Sequence, residues 1–157
     1  MKAAGPQLTR FLLADSGISA VFPAEPEKSD FAAKAFGTTV PTHTFGSEYC
    51  FRVFAVTFFD LPASVPDPSD DDRSKLYTAL ADQATNQMEA KKTSERDMGF
   101  GKEIGLLREF TLPNGFAGSM ALVYRKRQVA MMMVAAPKGY RDPDTIDAFY
   151  KSLQFTK

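Results

Sequence analysis

The first clear pattern of apolar and polar positions is Ile18-Ser19-Ala20-Val21-Phe22, a short strand stopped by Pro23 and Pro26, since proline cannot donate to a ladder. Residues 31–45 carry recurring apolar positions interrupted by Gly37 and Pro41, which predicts a weak hairpin. Residues 49–59, YCFRVFAVTFF, are almost all β-branched, aromatic or small. They predict a central strand covered on both faces and ended by Asp60-Leu61-Pro62. Leu76, Leu80, Ala84 and Met88 recur every four residues, with Tyr77 and Ala81 widening the stripe, so a helix is expected over about 72–91. Asp70, Asp71 or Asp72 would cap it, and Lys91 and Lys92 suit its negative end.

Residues 95–112 read as two short strands, with Gly99, Gly101 and Gly105 permitting a bend between them. Ile104, Leu106, Arg108 and Phe110 show a partial two-residue period, while Leu107 falls on the opposite face. Pro113-Asn114-Gly115 is a turn. Met120, Leu122 and Tyr124 then form one face of a strand, and Ala121 and Val123 the other. Arg125, Lys126, Arg127 and Gln128 make a solvated tip, and residues 129–136 return, with Met131, Met132 and Met133 divided between the faces and packed beneath the helices. Asp142-Pro143 opens a second helix that buries Ile146, Phe149, Tyr150 and Leu153, after which the chain extends. The architecture expected is α+β: a mostly antiparallel sheet of about six strands with two main packed helices. One domain spans residues 1–157, with residues 1–16 an N-terminal extension or an extra strand.

Charge narrows the function classes. Nineteen basic residues balance nineteen acidic ones, which argues against a dedicated nucleic-acid surface, so no nucleic-acid partner is expected. The apolar runs fall well short of the roughly 20 residues a membrane-spanning helix needs. Cys50 is the only cysteine, leaving no intramolecular disulfide and no C-x-x-C pair. The apolar run FLLA near the start is shorter than the roughly 7–15 residues of a secretory signal core, and cytoplasmic placement is the expectation.

Candidate chemistry is sparse. His43 has no second histidine or cysteine beside which to ligate zinc, and a hydrogen-bonded structural histidine is the plain reading. An imidazole still permits proton transfer near neutral pH. Cys50, between Tyr49 and Phe51, reads as a packed thiol near Arg52. A Cys50–His43 nucleophile pair would need the two side chains within about 3 Å. Asp67, Asp70, Asp71 and Asp72 lack the spacing of a calcium loop and read as a cap and a solvated loop. The run from Gly99 to Gly105 matches no phosphate-binding spacing, so Lys102 reads as a turn residue. Arg125, Lys126 and Arg127 suit an acidic partner, and they also discourage edge pairing. Tyr140, before the final helix, is placed to rim a small pocket. No catalytic motif is present, and neither a metal nor a cofactor is expected.

Phe22, Pro23, Pro26 and Glu27 at the first strand, Asp60 and Pro62 after the central one, and Phe149, Ser152, Leu153 and Phe155 at the close form a recurring signature. Through them the chain resembles a widespread bacterial family of small PsbP/Mog1-like domains over residues 18–156. It departs from that family where Leu153-Gln154 separates serine from phenylalanine, and where Gly105-Leu106-Leu107-Arg108-Glu109 lacks a proline and a second glycine. The resemblance implies an antiparallel sheet with helices packed on it and, because relatives of this kind are binding or assembly factors, a binding role without transferable catalytic residues. The leading expectation is a non-enzymatic binding or assembly domain that engages a protein through a sheet edge, a helix–sheet groove or the 125–127 tip. One alternative is a small-molecule-binding or hydrolytic domain using His43 and Cys50, with Tyr49 and Arg52 nearby. Another is a homodimeric structural module built on an exposed strand.

Overall fold

A computed structural model describes residues 7–13, 16–139 and 143–156. The elements in order are β1 (Thr9–Leu12), β2 (Ile18–Phe22), β3 (Glu27–Ala35), β4 (Thr38–Tyr49), β5 (Arg52–Asp60), α1 (Asp70–Gln87), β6 (Lys91–Phe100), β7 (Glu103–Thr111), β8 (Phe116–Arg125), β9 (Gln128–Pro137), α2 (Pro143–Lys151) and β10 (Gln154–Phe155). Seven strands form one sheet in the order β3-β4-β5-β9-β8-β7-β6, and β1-β2-β10 form a second. The observed pairings in both are antiparallel. The α+β class is as expected, with more strands than the six anticipated. The additions are β1, which falls in the 1–16 segment, the two-residue β10, and a full hairpin where Gly37 and Pro41 predicted a weak one. Gly37 sits in the turn of that hairpin at φ 73°. Pro41 pairs with Ala32 beyond the last β4–β5 pair, His43–Phe58, where β3 is the neighbour on the ladder.

Alternation along the central strands builds two cores, one on each face of the large sheet. Phe54, Val56 and Phe58 of β5, Ala130, Met132 and Val134 of β9, and Ala121 and Val123 of β8 point to one face. The small sheet covers this face through Ile18, Ala20 and Phe22, and α2 covers it through Ile146, Phe149 and Tyr150. Phe149 meets the rings of Phe22 and Phe54 edge-on at 5.6 and 5.3 Å. The Tyr150 hydroxyl and Ser119 Oγ lie 2.6 Å apart, so the polar tip of this helix is satisfied inside the core. Gly118, next to Ser119, has no alternative, because a Cβ there would meet the Phe110 ring at 2.7 Å and the Val134 carbonyl at 2.9 Å.

On the opposite face, α1 lies over Leu106, Phe110, Met120 and Leu122 and buries Tyr77, Leu80 and Ala81. Ser69 is its N-cap, accepting from the Asp72 N–H, and Asp70–Asp72 occupy the first turn, where the positive helix end favours carboxylates. The helix stops at Gln87, earlier than expected, so Lys91 and Lys92 do not serve its negative end but begin β6. The segment expected as two short strands is instead a pair of long ones, β6 and β7, joined at Gly101-Lys102.

Arg108 ties this layer together. It is 2% exposed, on the inward period of β7, and directs its guanidinium to two carboxylates and a hydroxyl. Nε and Nη2 reach Glu95 Oε2 of β6 at 2.7 Å, and Nη1 reaches Asp82 Oδ1 at 2.8 Å and Thr85 Oγ1 at 3.2 Å on α1. Glu95 and Asp82 stay partly exposed, which keeps the desolvation of the acids small while the rigid fork of arginine is fully used.

Three hairpin turns place residues at positive φ in two-residue loops: Phe36-Gly37, Cys50-Phe51 and Lys126-Arg127. Paired positive φ values are the geometry of type I′ turns, whose twist suits the flanking strands. Residues 49–59 are therefore not one strand. Tyr49 ends β4 and pairs with Arg52 of β5, and Cys50 is exposed in the turn rather than packed. Apolar residues at Cys50 and Phe51 hid a turn that Asn-Gly would have announced.

Two stability changes should follow. Replacing Cys50-Phe51 with Asn-Gly, which accepts positive φ, should raise stability by about 1–2 kcal/mol in urea titration. Arg108→Ala should lower it by about 2–4 kcal/mol, through a lost ion-pair hub and a cavity in a packed layer.

Candidate functional site

Two recesses, one on each face of the large sheet, gather the side chains of interest. The first is an apolar groove of about 670 Å³ between α1 and the β3–β5 end of the sheet. Phe31, Val40, Phe59, Met131 and Met133 supply its sheet side, and Leu80, Ala84 and Met88 supply the helix side. The groove exists because α1 lies chiefly over β7 and β8 and leaves β5 and its neighbours half covered. Phe54, Val56 and Phe58 are buried, but Ala55, Thr57 and Phe59 on this face remain half-buried, so β5 is covered on one face and not both. The methionines divide accordingly: Met132 is fully buried in the opposite core, and Met131 and Met133 line the groove. Phe31, on the edge strand β3, is 49% exposed. Lys34 is the one charged residue on the lining.

The second recess, a cleft of about 580 Å³, lies on the other face at the open end of the two sheets. Here Lys28 of β3, His43 of β4 and Arg125 and Lys126 of the β8–β9 hairpin converge with Asp60, above the rings of Phe58 and Phe155. His43 Nδ1 lies 2.7 Å from Asp30 Oδ1, and the imidazole packs 5.3 Å from Phe58. That hydrogen bond, helped by the nearby Lys28 ammonium at 3.6 Å, holds the exposed Asp30 carboxyl below its usual range. The Arg125 guanidinium lies over the Phe155 ring at 5.6 Å, with Nη1 3.5 Å from the Phe155 carbonyl.

The residues singled out in the sequence thus separate into groups. His43, Arg125 and Lys126 come together in the cleft. Tyr49 and Arg52 face each other at the far end of the β4–β5 hairpin, about 20 Å from His43 along six residues of extended strand. Cys50 lies beyond them in the turn, so the proposed Cys50–His43 nucleophile pair does not form. Tyr140 lies outside the described residues.

Arg127 turns away from its two neighbours and staples the 61–69 loop. Its guanidinium donates to the carbonyls of Val65 and Pro62 at 2.7 Å each and to Asp67 Oδ1 at 3.1 Å. The Tyr124 hydroxyl donates to the same carboxylate oxygen at 2.8 Å. These bonds, Tyr124 first and Arg127 second, hold the Asp67 carboxyl below its usual range, while desolvation raises the Tyr124 hydroxyl. Asp67, though exposed, therefore belongs to a hydrogen-bonded loop clamp with Tyr124 and Arg127. The residues that sequence reasoning passed over, Lys28 and the Phe31 edge, sit on β3, where a weak hairpin signal concealed a nine-residue strand.

Among the described residues no group of three or more histidine, cysteine or acidic side chains is placed to hold a metal, and no helix is long and apolar enough to cross a membrane.

No protein-family profile and no curated protein sequence matches the chain. Its structure, however, is similar to solved ones. The solution structure of cyanobacterial PsbP (CyanoP) from Synechocystis sp. PCC 6803 superposes with a TM-score of 0.68 at 10% identity, over 99% of this chain and 98% of that one. The crystal structure of PA94, a protein of unknown function from Pseudomonas aeruginosa, superposes with a TM-score of 0.50 at 11% identity, over 96% and 97%. At these identities the likeness is one of fold: the chain has the PsbP-like α+β architecture that its sequence resembles.

The Asp67 clamp makes a pH-dependent prediction. A carboxyl whose folded pKa is depressed contributes stability above its unfolded value, and that contribution is lost as pH falls through the folded value. Asp67→Asn should therefore be less stable than the parent protein at pH 7, with the difference in thermal midpoint closing toward pH 3.

Proposed function

We propose that this chain is a non-enzymatic binding domain that engages a protein partner through the groove between α1 and β3–β5. The observation that carries the reading is an open, methionine-floored recess with a half-exposed phenylalanine at its rim. Methionine side chains adapt to the shape of an apolar partner, and contiguous exposed apolar surface of this kind marks interaction sites. Lys34 meets the groove through its carbonyl, which accepts from Gln83 Nε2, so the recess favours a segment that presents an apolar stripe. The PsbP-like fold supports the reading as an architecture suited to binding, and the separation of His43 from Cys50 counts against a nucleophile pair built on them.

Site-specific crosslinking tests this. A benzoylphenylalanine in place of Phe31 should trap a discrete partner in cell extract. The same residue in place of Phe51, exposed at the far turn, should not. Met131→Lys should weaken recovery at least tenfold while circular dichroism stays unchanged. Equal trapping from both positions, or full recovery by the Met131 variant, would overturn the reading. A crosslink to a second copy of this chain would assign the groove to self-association instead.

A further inference from the structure

The cleft on the opposite face is electrostatically unlike the rest of the molecule. The whole chain is neutral, yet Lys28, Arg125 and Lys126 bring three cationic groups to one recess against Asp60 in its lining and Asp30 beside it, which lies 3.6 Å from the Lys28 ammonium. They arrive from two hairpins on either side of β5, so the tertiary structure adds Lys28 to the basic Arg125-Lys126 pair of the hairpin tip. Beneath them lie aromatic surfaces. Phe58 is stacked against Phe45 at 6.0 Å and 8°, and the Phe155 ring carries the Arg125 guanidinium on its face. His43 is fixed at the wall by Asp30, which itself lies outside the lining.

We propose that this cleft is a binding site for a small organic anion, an oxyanion head on a flat apolar body. The head is held by Lys28, Arg125 and Lys126, and the body lies against Phe58 and Phe155. The chemistry follows from the inventory. Arginine and lysine donate charge-assisted hydrogen bonds to phosphate or carboxylate oxygens, and low-dielectric aromatic walls strengthen the attraction. A planar body covers the half-buried Phe155 ring at the mouth, with Phe58, 5% exposed, forming part of the floor. The volume, about 580 Å³, is of the size that small-molecule sites occupy. The site lies on the opposite face of the large sheet from the apolar groove, and the two share only Phe59 in their linings.

Titrations of the 15N-labelled protein with phenyl phosphate, benzoate and inorganic phosphate test the assignment. Saturable shifts at the amides of Lys28, His43, Arg125 and Lys126 are expected with phenyl phosphate or benzoate, at least fivefold tighter than with inorganic phosphate and weakened by added salt. Arg125→Gln with Lys126→Gln should reduce affinity at least tenfold. Lys28→Gln, on an exposed edge strand, supplies a second variant that leaves the Arg125–Phe155 packing in place and should weaken binding at least threefold. Met131→Lys, in the groove, should leave anion affinity unchanged, so the two sites fail separately. No saturable shift at these amides with either organic anion, equal affinity for inorganic phosphate, or binding unaffected by both the double variant and Lys28→Gln would overturn the proposal.

Discussion

The buried guanidinium of Arg108 is the constraint on which the α1 layer depends. A charge 2% exposed persists only when its donors are matched, and the match joins three elements: Glu95 on β6 and Asp82 and Thr85 on α1 bind Arg108 on β7. Thr85 completes the arrangement by donating to the Ala81 carbonyl while it accepts from Arg108. Tyr77 fixes the other end of the helix contact. The β7–β8 ladder ends at Leu106–Leu122, and two residues further on Ile104 and Tyr124 are bridged by the Tyr77 hydroxyl, which accepts from the Tyr124 N–H at 2.8 Å and donates to the Ile104 carbonyl at 3.1 Å. Burial raises the pKa of that hydroxyl, which keeps it a donor. Two polar anchors thus set where α1 lies, over β7 and β8, and so decide which part of the sheet stays uncovered.

That placement links packing to function. Because α1 is pinned toward β6–β8, it only half covers Phe59, Met131 and Met133 on the same face, and the groove is what remains. The opposite face is closed by β2 and α2 over most of its area, and the closure ends before His43 and Lys28, which leaves the cleft. Both recesses are consequences of partial cover on one large sheet. The edges of that sheet, β3 and β6, carry alternating charges in EKSD and KKTSERD, and β6 has a register shift between Lys92 and Ser94, devices that discourage edge-to-edge association.

What could be read in the sequence was the part governed by local periodicity. The α1 stripe of Leu76, Leu80, Ala84 and Met88, the β8–β9 hairpin and the inward residues of α2 follow from side-chain spacing alone, because a two- or 3.6-residue repeat decides which face is buried whatever the neighbours are. Turns were legible only where their chemistry was ordinary. Pro113-Asn114-Gly115 was plain, and Cys50-Phe51 was not, since positive φ there is enforced by the pairing of Tyr49 with Arg52 and not by the residues in the loop. Of the candidate site, His43 was legible as a hydrogen-bonded histidine, which its contact with Asp30 makes it, and Arg125 and Lys126 as a charged hairpin tip, but not that they share one cleft.

The sequence by itself therefore determined the α+β class, the two helices and the strong strands, because these depend on composition and on contacts between near neighbours. Tertiary structure decided the rest. It buried Arg108 rather than exposing it, turned Arg127 into a loop clamp while leaving Arg125 and Lys126 in the cleft, and sent Cys50 about 20 Å from His43. Each of these outcomes depends on strand register and on where one helix rests, quantities set by residues 13 to more than 60 positions apart, and no local pattern carries them.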